Sequence, residues 1–373
     1  MQLGFEDIGV GIPETIEPDD LTPVQYKRQT MPGDLWALGE HRLKCGDATK
    51  RRDLDDLLGG EAPELMFADP PYGLKKECDG VTNDNLNRRD LLSFNLAWVP
   101  LSLSVLRSNA SAYIWGMNEF LMDLYAFVLR PRILDKDLTF GNLIIWDKVA
   151  NFGQLSPDMR CYSPASEECI FFFKGQQAYG RDVSTWNPAY QKYIDHLKDI
   201  LKVGDMNIAD ATKITTTATG HYFSHSQYQF PTREAYETIC KACGVPPRYD
   251  EIKAQYEKDR EAWRDTRAYF DNTHDNMNNV WHFRRAAEVG EAVGHPTQKP
   301  VRLVERCLMT SSREGGAVLD PFGGSGSTII AAENTGRRAY LLEIEPQWCD
   351  VILARYEKKT GKRPELIHGG VKT

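Results

Sequence analysis

No run of about 20 uncharged apolar residues, the length a helix needs to cross a bilayer, occurs in the 373-residue chain. The first residues are rich in Asp, Glu and Pro, so the basic-then-apolar plan of a secretory signal is also missing. These absences set the expectation of a cytoplasmic protein with no membrane partner. A G-x-G-x-x-G dinucleotide fingerprint is lacking too, because Ile329 takes the third position in Gly324-Ser325-Gly326-Ser327-Thr328-Ile329, and there is no Gly-Lys-Ser/Thr phosphate loop. The eight cysteines follow no regular spacing, and Cys169 and Cys307 sit inside apolar runs, which favours reduced, partly buried thiols over a disulfide framework. Cys240-Lys241-Ala242-Cys243 is the one CxxC; without a second cysteine or histidine pair beside it, no metal is expected. A net charge of −8 argues against a surface coated in positive charge for nonspecific nucleic-acid binding. Short basic clusters such as Lys50-Arg51-Arg52 and Arg284-Arg285 still permit a local basic cleft.

What the chain does have is a large apolar fraction, 41%, enough for one large domain with an insertion or for two modest ones. Residues 1–30 read as an acidic, proline-containing arm or linker. Apolar runs at Glu64–Ala68, Ala110–Trp115, Leu143–Trp146 and Cys169–Phe173 have the continuous hydrophobicity of buried strands. Leu91–Arg107 and Glu119–Leu129 between them have helical spacing, so 31–175 is expected to form an α/β layer with a mainly parallel sheet and helices on both faces. From 176 to 290 the chain turns polar, aromatic and partly helical, with helices expected from Arg233 to Cys240 and from Arg248 to Arg267. The α/β pattern returns over 291–373, with strands at Ala317–Leu319 and Ala339–Leu342, and this part should complete the first sheet.

Two motifs carry the chemistry. Asp69-Pro70-Pro71-Tyr72 follows an apolar strand, and Asp320-Pro321-Phe322-Gly323-Gly324-Ser325-Gly326 follows another about 250 residues later. An exocyclic aromatic amine is a poor nucleophile, because its lone pair is delocalised into the ring. A carboxylate beside a backbone carbonyl can hold its two hydrogens and favour a pyramidal nitrogen; Asp69 and the Pro70 carbonyl suit that task, Pro70 and Pro71 stiffen the turn, and Tyr72 can stack on a base. In the second motif the glycines let a ligand approach the backbone at the carboxyl end of a strand. Glu343, ending the next strand, can accept hydrogen bonds from both hydroxyls of a ribose.

The combination resembles the amino-methyltransferases that modify DNA at adenine N6 or cytosine N4, and the order, catalytic motif first with a long insert before Phe322-x-Gly324-x-Gly326, resembles their beta class. The resemblance covers roughly residues 32–365. It implies a Rossmann-like S-adenosylmethionine-dependent methyltransferase fold with a mixed, mostly parallel seven-stranded sheet and an inserted target-recognition region. Cys45-Gly46-Asp47 resembles the segment whose acid meets the cofactor's adenine, and His295-Pro296-Thr297-Gln298-Lys299-Pro300 the stretch leading into the helix before the cofactor strand. The implied contacts to S-adenosyl-L-methionine come from Asp47, Ala48, Asp69 and Lys299 on one side. Asp320, Phe322, Gly324, Gly326, Ser327, Glu343 and Ile344 supply the rest.

By the same resemblance the insert should read double-stranded DNA. Candidate contacts are Lys75, Tyr222, Phe223, Gln227, Tyr228 and Arg233, and Lys299, Arg284 and Arg285 could contact phosphate. Asp in the first motif position favours N6 of a flipped adenine. N4 of cytosine is the nearest alternative, and a methyltransferase-like protein that binds DNA without turnover is the alternative of another class. A homodimer and a restriction endonuclease in a separate chain are the partners such enzymes bring into question.

Overall fold

The computed structural model describes residues 29–75, 82–149, 160, 162, 165–177, 188–212, 220–224, 228–274, 277–295 and 297–369. Among these residues, ten strands build one mixed sheet: β1 (Leu35–Leu38), β2 (His41–Cys45), β3 (Leu65–Ala68), β4 (Ser111–Gly116), β5 (Leu138–Asp147), β6 (Ser166–Lys174), β7 (Val280–His282), β8 (Ala317–Asp320), β9 (Arg338–Glu343) and β10 (Glu365–His368). Their order is β10-β1-β2-β9-β8-β3-β4-β6-β5-β7. The five strands from β2 to β4 in that order pair in parallel, β6 runs antiparallel to both its neighbours, and β7 pairs in parallel with β5. The expected seven strands are thus corrected to ten. β2, β7 and β10 are interrupted by charged or histidine residues and β1 is only four residues long, so none shows the longer apolar run by which the others are recognised.

Every residue of β3 and of β8 is buried, as in strands covered on both faces. Met66, Ala68, Ala317 and Leu319 join a core with Leu54, Leu57, Trp98, Val99 and Leu124, contributed by helices Arg51–Leu58, Arg88–Val105 and Asn118–Leu124. Burying such side chains stabilises the fold by roughly 1.5–3 kcal/mol each. The helix Arg88–Val105 starts where Asn87 accepts hydrogen bonds from the backbone N–H groups of Arg89 and Asp90, an N-cap that satisfies two otherwise unpaired donors.

The topology brings the two sequence motifs together. β3 and β8 are hydrogen-bonded neighbours, with Leu65 opposite Val318 and Met66 opposite Leu319. From β3 the chain leaves through Arg88–Val105 toward β4 on one side; from β8 it leaves through helix Ser327–Thr335 toward β9 on the other. Connections that diverge from two adjacent parallel strands open a crevice at their carboxyl ends, the place where open α/β sheets bind ligands. Asp69 and Asp320 are the residues at that crevice.

Contacts divide the chain into two compact units, one made of residues up to Gln176 together with those from Tyr269, the other of Gln177–Ala268. The second unit has its own core, built from Leu197, Ile200 and Leu201 of helix Pro188–Val203 and from Tyr236, Ile239 and Cys240 of helix Arg233–Ala242. It ends at Ala268, short of the expected insert boundary at 290, because Val280–His282 is drawn into the sheet beside β5.

Candidate active site

Asp69 and Asp320 line one cleft, open to solvent, with Pro70, Pro71, Tyr72, Lys299, Phe322, Gly324, Ser327, Glu343 and Ile344. On the Asp69 side, Oδ1 accepts hydrogen bonds from the Tyr72 hydroxyl and, at 2.7 Å, from the Lys299 ammonium. Lys299 also donates to the Tyr72 hydroxyl at 3.1 Å and pairs with Glu167 at 3.0 Å. Its side chain is 4% exposed. Burial works against its charge, but the attraction of Asp69 and Glu167 outweighs this and holds the ammonium above its usual pKa. Burial raises the Asp69 carboxyl above the usual range; Lys299 opposes the shift and the charge of Glu167 reinforces it. Behind the turn, one oxygen of the buried Asp84 carboxylate accepts the backbone N–H groups of Tyr72 and Gly73, each at 2.9 Å, which fixes the loop that carries the motif.

The opposite side is built from backbone. Glu343 Oε2 accepts the Gly324 N–H at 2.7 Å and Oε1 the Glu345 N–H at 2.8 Å. Burial still pushes its carboxyl up to about 7, against the pull of those N–H groups. Asp320 accepts the Phe322 N–H at 2.9 Å and the Thr328 hydroxyl at 2.5 Å, yet burial lifts it to about 8. Gly326 has φ 83°, and a Cβ there would stand 2.9 Å from Ile352, so both backbone conformation and close helix packing require glycine. Phe322 packs edge-on to Trp98, with ring centroids 4.9 Å apart, and Ser327 donates to the Lys299 carbonyl at 2.7 Å, tying the glycine turn to the segment that supplies Lys299. Burial, with the nearby charges of Lys299 and Arg355, lowers the His295 imidazole to about 4, so it stands neutral in the cleft wall.

The family model N6_N4_Mtase, described as DNA methylase, matches residues 64–354, most of the chain and both sides of this cleft. The chain belongs to the N6/N4 DNA methylase family. Among its relatives, the Type II methyltransferase M2.DpnII of Streptococcus pneumoniae is 38% identical over 310 residues, covering 80% of this chain and 83% of that one. The Type II methyltransferase M.HpaI of Haemophilus parainfluenzae is 24% identical over 324 residues, covering 86% and 75%. Among solved structures, the putative DNA modification methylase TTHA0409 of Thermus thermophilus, complexed with S-adenosyl-L-methionine, aligns with TM-score 0.46 at 18% identity over 89% of this chain and 100% of that one.

Several other residues expected at the site have partners within the protein. Asp47 follows β2, where the preceding Gly46 donates to the Glu343 carbonyl at 2.9 Å; its carboxylate accepts the Thr49 backbone N–H at 2.9 Å and hydroxyl at 2.7 Å. Ala48 is buried in the core. Lys299, expected at the cofactor, is engaged by two carboxylates. Tyr222 is buried in the core of the second unit with Phe223 packed against it, and Tyr228 stacks on Tyr190 at 4.8 Å. Arg233 pairs with Asp250 and lies over the Tyr249 ring. Gln227 lies outside the described residues. Lys75 sits just past the motif with φ 64°, Arg284 is exposed, and Arg285 pairs with Glu288 at 3.2 Å. Sequence reasoning missed Glu167, Lys148 and Asp84; Glu167 carried a faint signal, as a charge at the mouth of a long apolar strand.

Proposed function

We propose that this protein transfers a methyl group from S-adenosyl-L-methionine to the exocyclic N6 of an adenine flipped out of duplex DNA, within one short recognition sequence. The observation that carries the reading is the orientation of Asp69. Both bonds that fix it, from Tyr72 and Lys299, fall on Oδ1, and no described residue bonds Oδ2. A carboxylate held by one oxygen can turn the other to a substrate amine, with the Pro70 carbonyl taking the second hydrogen.

The opposite wall fits the cofactor. The Glu343 carboxylate is held by backbone N–H groups and has remaining lone pairs for a ribose hydroxyl, while Ile344, 40% exposed, lines the cleft as an apolar face for an adenine. The cofactor's sulfonium supplies an electrophilic methyl group. The protein's part is placement: Asp69 Oδ2 and the Pro70 carbonyl hold the amine, while Tyr72 keeps Asp69 in place and offers its ring to the base. As the N–C bond forms and the C–S bond breaks, the amine nitrogen releases one proton, which passes to Asp69 and then to solvent. Asp in the first motif position supports adenine over cytosine. The Type II relatives support a restriction–modification setting, with an endonuclease in a separate chain.

The test is methylation mapping by single-molecule sequencing of genomic DNA from a methylation-free bacterial host expressing this chain. N6-methyladenine confined to one short motif is expected. N4-methylcytosine would overturn the choice of base, and unmarked DNA from folded, cofactor-binding protein would overturn the reaction.

A further inference from the structure

The Lys299 ammonium does not belong to Asp69 alone. It lies between Asp69 Oδ1 at 2.7 Å and Glu167 Oε2 at 3.0 Å, and the other Glu167 oxygen receives Lys148 at 2.5 Å. The result is a row of alternating charges, Asp69, Lys299, Glu167 and Lys148, running from the reacting end of β3 to the start of β6. Trp146, opposite Glu167 on β5, stands beside both ammonium groups, its ring centroid 5.9 Å from Lys299 and 5.3 Å from Lys148. Trp146 is itself fixed by donating its indole N–H to the Phe283 carbonyl at 2.7 Å.

A buried ammonium that met only Asp69 would neutralise it. The paired carboxylate would then be a weak acceptor for an amine hydrogen and a weak base for the proton released on methylation. Resting on the reading of Asp69 above, we propose that Glu167 is a positioning residue for the methyl transfer: it shares the Lys299 ammonium, so that Lys299 locks Asp69 Oδ1 without removing the carboxylate's capacity to accept the amine proton. Burial raises the Asp69 carboxyl most, Lys299 opposes it, and the charge of Glu167 adds to the upward side. Lys299 and Lys148 keep Glu167 itself ionised in spite of its burial. Other titratable groups facing this row are the Tyr72 hydroxyl, the Cys169 thiol, the Asp320 carboxyl and the His295 imidazole, which burial and the Lys299 charge keep neutral.

Charge and packing are separated by Glu167→Gln, which keeps the shape and a hydrogen-bond acceptor. With saturating DNA and cofactor, kcat should fall about tenfold, the scale of one coupled charge pair. The acid limb of its pH profile should move to lower pH, while cofactor affinity by calorimetry stays unchanged. Lys148→Gln removes a positive charge from the same row and should move the acid limb the other way, to higher pH; it also carries the test if Glu167→Gln fails to fold. An unchanged kcat and pH profile in the folded variants would overturn the proposal. So would a loss of rate with no displacement of the acid limb, since packing alone explains that. Wild-type protein assayed in parallel separates the two levels: if it methylates DNA and the variants match it, only the role of Glu167 falls. If the wild type leaves DNA unmarked, the reading of Asp69 falls first and this inference with it.

Discussion

On one side of the cleft the Asp69 carboxylate is held by side chains, Tyr72 and Lys299, whereas on the other the Glu343 carboxylate is held by the backbone N–H groups of Gly324 and Glu345. Side-chain anchors bring charge and can be tuned by a neighbour such as Glu167. Backbone anchors bring geometry, and are fixed as long as Gly324 and Gly326 keep their left-handed conformation. The chemical half of the site should therefore respond to single substitutions in rate, and the cofactor half in affinity.

Asp69→Ala makes the sharpest cut. Turnover should drop about a thousandfold or more, because it removes the group aimed at the reacting nitrogen. Cofactor affinity should stay as it was, since Lys299 keeps Glu167 as a partner and no buried ammonium is stranded. Substantial methylation by this variant would remove Asp69 from the reaction. Glu343→Ala should do the converse: a cofactor Kd raised about 10- to 100-fold, the worth of one or two hydrogen bonds to a charged acceptor, with kcat largely recovered at saturating cofactor. Unchanged affinity by calorimetry would break the comparison, because the backbone-held carboxylate would then have no ligand.

How much of this was legible in the chain depends on where each residue gets its role. Asp69, Asp320 and Glu343 each end a strand dense in apolar residues, and the strand ends of an open sheet are where ligands bind, so their place followed from pattern alone. That Asp69 and Asp320 would be neighbours did not follow from local pattern; it needs β3 and β8 to pair, a contact between residues about 250 positions apart. Glu167 and Lys148 were invisible for another reason. A charge at the end of a hydrophobic strand reads as a solvated terminus, and only the register of β5 against β6 turns both inward. The Asp47 carboxylate has a local partner in the turn to Thr49, which the pattern of the chain did not announce. In the second unit the aromatic run around Tyr222 looked like a surface for bases. The structure spends Tyr222 on a core that a unit of that size must build for itself.

The smallest expected effect concerns the titration of Glu343, raised from an ordinary value of 4.5 to about 7 by burial. A carboxylate whose pKa is higher in the folded chain binds its proton more tightly there than when unfolded. Its contribution to stability is therefore fully present below about pH 4.5 and is lost as pH rises through about 7. Asp320, lifted to about 8, acts in the same direction over a slightly higher range. Without cofactor, the melting temperature should thus decline from pH 6 to pH 8. Ribose hydroxyls donate to the ionised form of Glu343, so cofactor binding should draw its pKa back down, release a proton and tighten as pH rises through 7. The change should amount to about tenfold in Kd over two pH units, since one shifted proton contributes at most a factor of ten per unit. Cofactor-induced stabilisation should accordingly be larger at pH 8 than at pH 6, the reverse of the trend in the free protein. Glu343→Gln should flatten the affinity slope and lessen the stability slope, leaving the part that Asp320 contributes. If the affinity of the wild type proved flat between pH 6 and 8, the carboxylate would already be charged before the ligand arrives, and the contrast between a tuned catalytic side and a preset cofactor side would have to be redrawn around Asp69 alone.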